Sequence, residues 1–234
     1  MFTESAELYD VFYSFKDYAA EAERIRGFIA AAGGPGGGAL LNVACGTGGH
    51  TGPLRAHYEV EGIDLDEGLL AVARRKHPEV PFHAGDMRDF DLGRRFDVVT
   101  CLFSSIGYVR TEEAMRESVA NMARHLRPGG ALVIEPWLTP DAFTPGNVHM
   151  QAHDEPGLKR VRMGRSWAEG VTSTLEFQYL VGTPDEITHR VEHHVLGLFT
   201  HEQMTDAMEA AGLRVTHDPQ GLTGRGLYVG VRTV

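Results

Sequence analysis

The sequence predicts an α/β fold, a mostly parallel sheet covered by helices and interrupted once by an antiparallel β insertion. Two observations lead there. From residue 39 to residue 134, short apolar strands alternate with helical segments, the pattern of strands buried on both faces. From about residue 147 to 199 the helices stop, and stretches rich in Val, Thr and aromatic residues alternate in polarity, as strands with one covered face do. A chain of 234 residues suits one large domain with a sizeable insertion.

Taken in order, Ala22, Ile25, Ile29 and Ala32 recur near the helical period over residues 17–32, and the breaker at 33–38 ends that helix. Residues 39–45 read as the first strand, which the glycines of 46–49 turn into a helix at 51–57. A second strand at 58–64 and a helix at 67–76 follow, then a short strand near 80–83 and an apolar strand at 96–103. A helix over 112–126 is stopped by Pro128, Gly129 and Gly130 before a strand at 131–134. In the insertion, turns are expected at Pro156-Gly157 and over 183–185. A helix at 201–211 precedes two last strands, 213–217 and 227–231. The expected organisation is an α/β domain made of residues 1–146 and 200–234, with 147–199 as an antiparallel cap over the strand ends.

Composition narrows the partners. With 32 acidic against 22 basic residues the net charge is −10, which repels a phosphate backbone unless the cations gather on one face, so no nucleic-acid partner is expected. The two cysteines, Cys45 and Cys101, form neither a redox motif nor a disulfide framework, as suits a reducing cytoplasm. No basic segment precedes an apolar one at the N-terminus, and no run approaches the roughly 20 residues that span a bilayer. No membrane partner is expected.

Gly46 and Gly48 bring backbone close to a ligand between strand and helix, and Asp64, at the end of the next strand, is placed to grip ribose hydroxyls. That pair serves nicotinamide dinucleotides and S-adenosylmethionine alike. Thr51 stands where a dinucleotide fingerprint has its third glycine, which lowers the dinucleotide reading. Asp86 and Met87 follow the third strand, a carboxylate to accept from an adenine amino group and a thioether to pack on the ring. His189, His193 and His194 cluster, and His149 and His153 lie four apart. No carboxylate stands at a ligand offset and no HExxH occurs, so sheet histidines and no metal are expected. Cys45 reads as a small residue beside the turn, with no base to activate it.

The ordered set Val43-Ala-Cys-Gly-Thr-Gly48, Gly62-Ile-Asp64, Gly85-Asp-Met87 and Phe96-Asp-Val-Val99 resembles the class I S-adenosylmethionine-dependent methyltransferases. In more detail the chain is similar to the deoxyaminosugar N,N-dimethyltransferases that act on thymidine-diphosphate sugars in antibiotic pathways. The stretches that carry this likeness are Tyr9-Asp-Val-Phe-Tyr13, Gly85-Asp-Met-Arg-Asp-Phe90, Phe103-Ser-Ser-Ile-Gly-Tyr108, Glu135-Pro-Trp137 and Gly224-Arg-Gly-Leu227.

The resemblance implies a Rossmann-like fold with a seven-stranded sheet, S-adenosylmethionine as cofactor, a nucleotide-linked aminosugar as substrate, and a homodimer. It implies a cofactor site of Tyr13, Ala44, Gly46, Gly48, Asp64, Leu65, Asp86, Met87 and Phe103. Tyr9, Tyr108 and Glu135 are the catalytic candidates, Tyr108 standing where some relatives have His. Tyr18, Ser104, Trp137 and Arg225 are the substrate-binding candidates, Arg225 by offering its planar fork to a pyrophosphate.

Each has a plainer reading as well: Tyr9 and Phe12 as core contacts, Trp137 as filler between sheet and cap, Glu135 as a strand end, Arg225 as a turn cation. Arg160, Arg162 and Arg165 read as a solvated face and stay unassigned. Asn42 departs from the family, which usually carries an acid there, and drops a charge near the methionine portion. Alternatives are methyl transfer to another small acceptor (a sugar carbon or oxygen, or a free metabolite amine), a cofactor-binding protein without turnover, and a dinucleotide oxidoreductase.

Overall fold

Leu40 and Leu41 are adjacent, both wholly buried, and packed into different cores; such a pair requires a strand covered on both faces. They lie on β1 (Ala39–Val43) in a computed structural model that describes residues 6–233 apart from the side chain of Glu7. Residues 1–5 and 234, the ends of the expected α/β portion, lie outside the described residues.

In chain order the elements are α1 (Ala6–Phe12), α2 (Tyr18–Ala31), β1, α3 (Thr51–Leu54), β2 (Glu59–Asp64), α4 (Glu67–Lys76), β3 (Phe82–Ala84), β4 (Phe96–Cys101), a 3-10 turn (Ser105–Val109), α5 (Glu112–Arg124) and β5 (Leu126–Ile134). Four long strands follow: β6 (Val148–Glu155), β7 (Leu158–Glu169), β8 (Thr172–Gly182) and β9 (Ile187–Gly197). The chain ends with α6 (His201–Ala210), β10 (Leu213–Asp218) and β11 (Leu227–Arg232).

The large sheet has seven strands in the order β10-β11-β5-β4-β1-β2-β3, and its pairings are parallel except those made by β11. On one face Leu41, Val99 and Leu132 meet Met115, Val119 and Met122 of α5 and Met204 and Met208 of α6. On the other, Leu40, Val98 and Val133 meet Ala22, Ile25 and Ile29 of α2. β1 pairs with β2 on one side and β4 on the other, so strand order reverses there. A crevice opens beyond the strand tips at such a reversal.

The remaining strands form an antiparallel sheet, β6-β7-β8-β9. α1 joins the two sheets: Ala6 and Tyr9 pack on Leu69 and Val72 of α4, while Phe12 packs on Phe177 and Tyr179 of β8. Thr47 of the glycine turn donates to Asp10 at 2.6 Å and Lys76 reaches the same carboxylate at 2.8 Å. This short helix is therefore fastened from three sides.

Three expectations need correction. The helix expected at 51–57 is only α3, because Gly52 and Pro53 give way to turn hydrogen bonds from His57 and Tyr58 back to Leu54. Pro128, Gly129 and Gly130 lie within β5 as an irregularity in its pairing with β4, which lengthens a strand expected at 131–134. Arg160 and Arg162 do not lie on a solvated face: both are buried, and Arg162 packs over Phe12, Tyr13 and Phe177 at 4.7–5.0 Å. Arg165 has the opposite strand parity and pairs with Glu176.

Candidate active site

A cavity of about 770 Å³ lies at the carboxyl tips of β1, β2 and β4, between the large sheet, α1 and the antiparallel sheet. Ligand sites run from about 300 to 1,000 Å³, and this cavity falls within that range.

One part of the cavity is built at the tips of the first three strands. After β1 the backbone turns left-handed at Ala44 (φ 53°), Gly46 (φ 56°) and Gly48 (φ 77°), strain that a non-glycine residue such as Ala44 carries where function holds it. Asp64, the last residue of β2 and 8% exposed, accepts the N–H groups of Gly46 at 2.8 Å and Asp66 at 2.9 Å. Burial pushes its carboxyl up, against the downward pull of those N–H donors. Leu65 beside it is exposed and, with Met87, lines the cavity. Asp86 is gripped by the Arg88 guanidinium at 2.6–3.1 Å, which holds it below the usual carboxylate range.

A left-handed turn, a buried carboxylate at the next strand tip and two apolar side chains fit an adenosyl group, and S-adenosylmethionine held there would supply a methyl group on a positively charged sulfur. Gly48 stands behind the turn, its carbonyl 3.1 Å from the His77 ring, so it shapes the loop without lining the cavity. Asn42 is likewise buried away from it, accepting from Thr100 at 3.1 Å.

The reacting end is aromatic. Tyr9 and Tyr13 lie 4.6 Å apart, and Phe103 meets Tyr13 edge-on at 5.1 Å. Burial, reinforced by neighbouring phenols, drives Tyr9 and Tyr108 well above the ordinary tyrosine value, so both are neutral phenols. Ring faces attract cations, so a wall of this kind suits a positively charged group.

Glu135 is not in contact with the cavity. Wholly buried, it accepts the Phe103 N–H at 2.7 Å and the Thr223 hydroxyl at 2.7 Å, pinning the left-handed pair Phe103 (φ 52°) and Ser104 (φ 64°). Its place is that of a positioning residue, which corrects the catalytic assignment. Ser104 donates to Pro136 O and accepts from Arg225 at 3.0 Å. Arg225 lies 5.0 Å from the Trp137 ring and 5.7 Å from Phe103, while the Trp137 indole N–H donates to Ser173 at 2.8 Å.

Tyr18 is a further correction. It stands outside the cavity wall, its ring 4.8 Å from that of His50 and close against Gly49. The sequence reading gives no role to Arg162 or His194. Arg162 and His194 both line the cavity, and strand parity was the signal: residues 160 and 162 share one face of β7, and 192, 194 and 196 one face of β9. Among the described residues no three His, Cys, Asp or Glu side chains converge as metal ligands, and no helix is long and apolar enough to cross a membrane.

A cavity at the sheet's reversal point, a left-handed turn after the first strand and a buried acid at the tip of the second are the framework of a class I S-adenosylmethionine-dependent methyltransferase. Comparison with known proteins agrees. Residues 40–130 match the methyltransferase domain family. The chain is 43% identical over 232 residues, 97% of its length and 91% of the relative's, to a dTDP-3-amino-3,6-dideoxy-alpha-D-glucopyranose N,N-dimethyltransferase of Streptomyces fradiae. The identity is again 43%, over 97% and 92% of the two chains, to a dTDP-4-amino-2,3,4,6-tetradeoxy-D-glucose N,N-dimethyltransferase of Saccharopolyspora spinosa. The crystal structure of DesVI from Streptomyces venezuelae superposes with a TM-score of 0.92 at 39% identity, covering 98% and 99% of the two chains. The chain belongs to the family of nucleotide-aminosugar N,N-dimethyltransferases.

Proposed function

We propose that this enzyme transfers two methyl groups in succession from S-adenosylmethionine to the amino group of a thymidine-diphosphate deoxyaminosugar. The observation that supports the reading is that one cavity gathers the Gly46 turn with Asp64, an aromatic wall, and the guanidinium of Arg225 beside Trp137 and Phe103. Arg225, set between two aromatic rings and bonded to Ser104, is oriented as an anion-binding fork needs to be. Arg162 adds a second cation to the same wall.

Methyl transfer is an in-line displacement with a good leaving group, so the residues chiefly align and desolvate, which supplies up to about 7–11 kcal/mol in well-ordered cases. Mass analysis of products from a panel of nucleotide aminosugars tests the reading, with two successive methyl increments expected. An acceptor methylated only on carbon or oxygen would overturn it. Arg225→Ala is expected to raise KM for the nucleotide sugar about tenfold or more while leaving cofactor binding unchanged.

The enzyme is proposed to work as a homodimer. Met163, Leu180, Val191 and Val148 are exposed on the outer face of the antiparallel sheet, an apolar patch of the kind that partner surfaces use. Light scattering is expected to give twice the 25.7 kDa chain mass, and a monomer at micromolar concentration would refute it. The two free, buried cysteines suit the cytoplasm as the compartment.

A further inference from the structure

Tyr108, on the 3-10 turn, has its hydroxyl 3.0 Å from Nδ1 of His194 on β9, and Nε2 of the same ring lies 3.4 Å from a carboxylate oxygen of Glu192. His194 is 1% exposed and the Glu192 side chain 9%. The three groups follow one another by contact, Tyr108 and His194 lining the cavity and Glu192 set behind them. Strand parity puts Glu192 and His194 on the same inward face.

A carboxylate beside Nε2 favours the tautomer that carries its proton there, which leaves Nδ1 as the acceptor of the Tyr108 hydroxyl. Other titratable or charged groups face this line from every neighbouring element. Tyr179 of β8 faces Glu192, Arg190 shares the inward face of β9 with Glu192 and His194, and Tyr13, just past α1, and Asp64 of β2 act on Tyr108. Arg162 of β7 and His149 of β6 pack on Phe177, whose ring lies 5.3 Å from that of His194.

We infer that Tyr108, His194 and Glu192 form a relay that removes the proton from the acceptor ammonium before each methyl transfer. The inference rests on the proposal that the acceptor is an amine. An ammonium ion beside a sulfonium places two positive charges in one desolvated cavity, and like charges there oppose each other strongly. The phenol alone cannot resolve this, since a neutral phenol has to lose a proton as it gains one.

In the relay the ammonium N–H bond breaks as its proton bonds to the Tyr108 oxygen. At the same time the phenol O–H bond breaks, its proton passing to Nδ1 of His194. The amine retains the electron pair, Tyr108 ends neutral as it began, and the new imidazolium rests against Glu192. The amine nitrogen then bonds to the methyl carbon as the carbon–sulfur bond breaks, its electrons going to sulfur. The secondary ammonium so formed needs the relay again, after the imidazolium has passed its proton to water.

The experiment measures kcat from about pH 6.5 to about pH 9 for wild type, H194N, Y108F, E192Q and the Y108F/H194N double variant. Asparagine keeps an acceptor oxygen for Tyr108 but takes up no proton. At about pH 7, H194N and Y108F are expected to lose roughly ten- to a hundredfold in kcat. By about pH 9 the gap should narrow to roughly threefold, because the free amine then needs no relay. The double variant should be no slower than the slower single one, E192Q should lose less, and calorimetric affinity for S-adenosylhomocysteine should be unchanged.

A loss of equal size at both ends of the pH range, no loss, or a loss residing in cofactor affinity would overturn the relay. Should H194N fail to fold, Y108F and E192Q decide on the same profile. Wild-type product masses keep the two ideas apart. No methylation of any aminosugar defeats the amine reading, whereas methylation with unaltered variant profiles defeats the relay alone.

Discussion

Asp64→Ala is expected to weaken binding of S-adenosylhomocysteine about a hundredfold or more. A buried carboxylate that accepts two ribose hydroxyls contributes about 1.5–3 kcal/mol for each charge-assisted bond, and each 1.4 kcal/mol is tenfold in affinity. The same carboxylate holds the Gly46 N–H at 2.8 Å, so its loss also frees the turn that the adenosyl group approaches. Titration calorimetry reads the change directly, and an affinity within threefold of wild type would rule out the proposed ribose contact.

Acidification adds a second signature. Burial raises the folded-state value of Asp64 above its ordinary 3.8, and the ionised form is the one able to accept hydrogen bonds from two hydroxyls. Affinity is therefore level at neutral pH and falls as the pH drops through that raised value, beginning above the range where a free aspartate protonates. Asp64→Ala should abolish this decline.

Glu135→Ala is expected to destabilise the fold by about 3–5 kcal/mol. Its carboxylate satisfies the Phe103 N–H and the Thr223 hydroxyl inside the core, and each donor left unpaired costs roughly 1–3 kcal/mol, to which the vacated volume adds. For a chain of this length that corresponds to a fall of about 10 °C in Tm. Activity should fall beyond what stability explains, because the Phe103–Ser104 backbone carries both an aromatic wall residue and the partner of Arg225. Thermal unfolding paired with kcat measured well below Tm separates the two effects. A variant with wild-type Tm would show that Glu135 does not hold this corner together.

What could be read from the chain alone follows from how locally each feature is encoded. Adjacent buried leucines, a glycine turn and an aspartate at the next strand tip are written within about 25 residues of one another, and all three are found where expected. α1 was not legible as an element of its own. A helix of seven residues has little intrinsic stability, and it is held by Leu69, Val72, Phe177 and Tyr179, residues remote in sequence.

Arg162 and His194 were missed because their meaning depends on which face of the antiparallel sheet turns inward, a property of how the two sheets meet. Tyr18 shows the converse error. The resemblance implies a substrate contact for it, but the break between α1 and α2 directs it to the back of the glycine turn.

Ala44, Phe103 and Ser104 keep their left-handed backbone without being glycine, and each such residue costs of order 1–3 kcal/mol. Substituting glycine would relax the main chain and so tempt any search for a hardier protein, yet Ala44, Phe103 and Ser104 all line the cavity wall. Heat resistance gained at those three places would be withdrawn from ligand grip, and robustness in this fold has to be sought in the helices and on the outer surface instead.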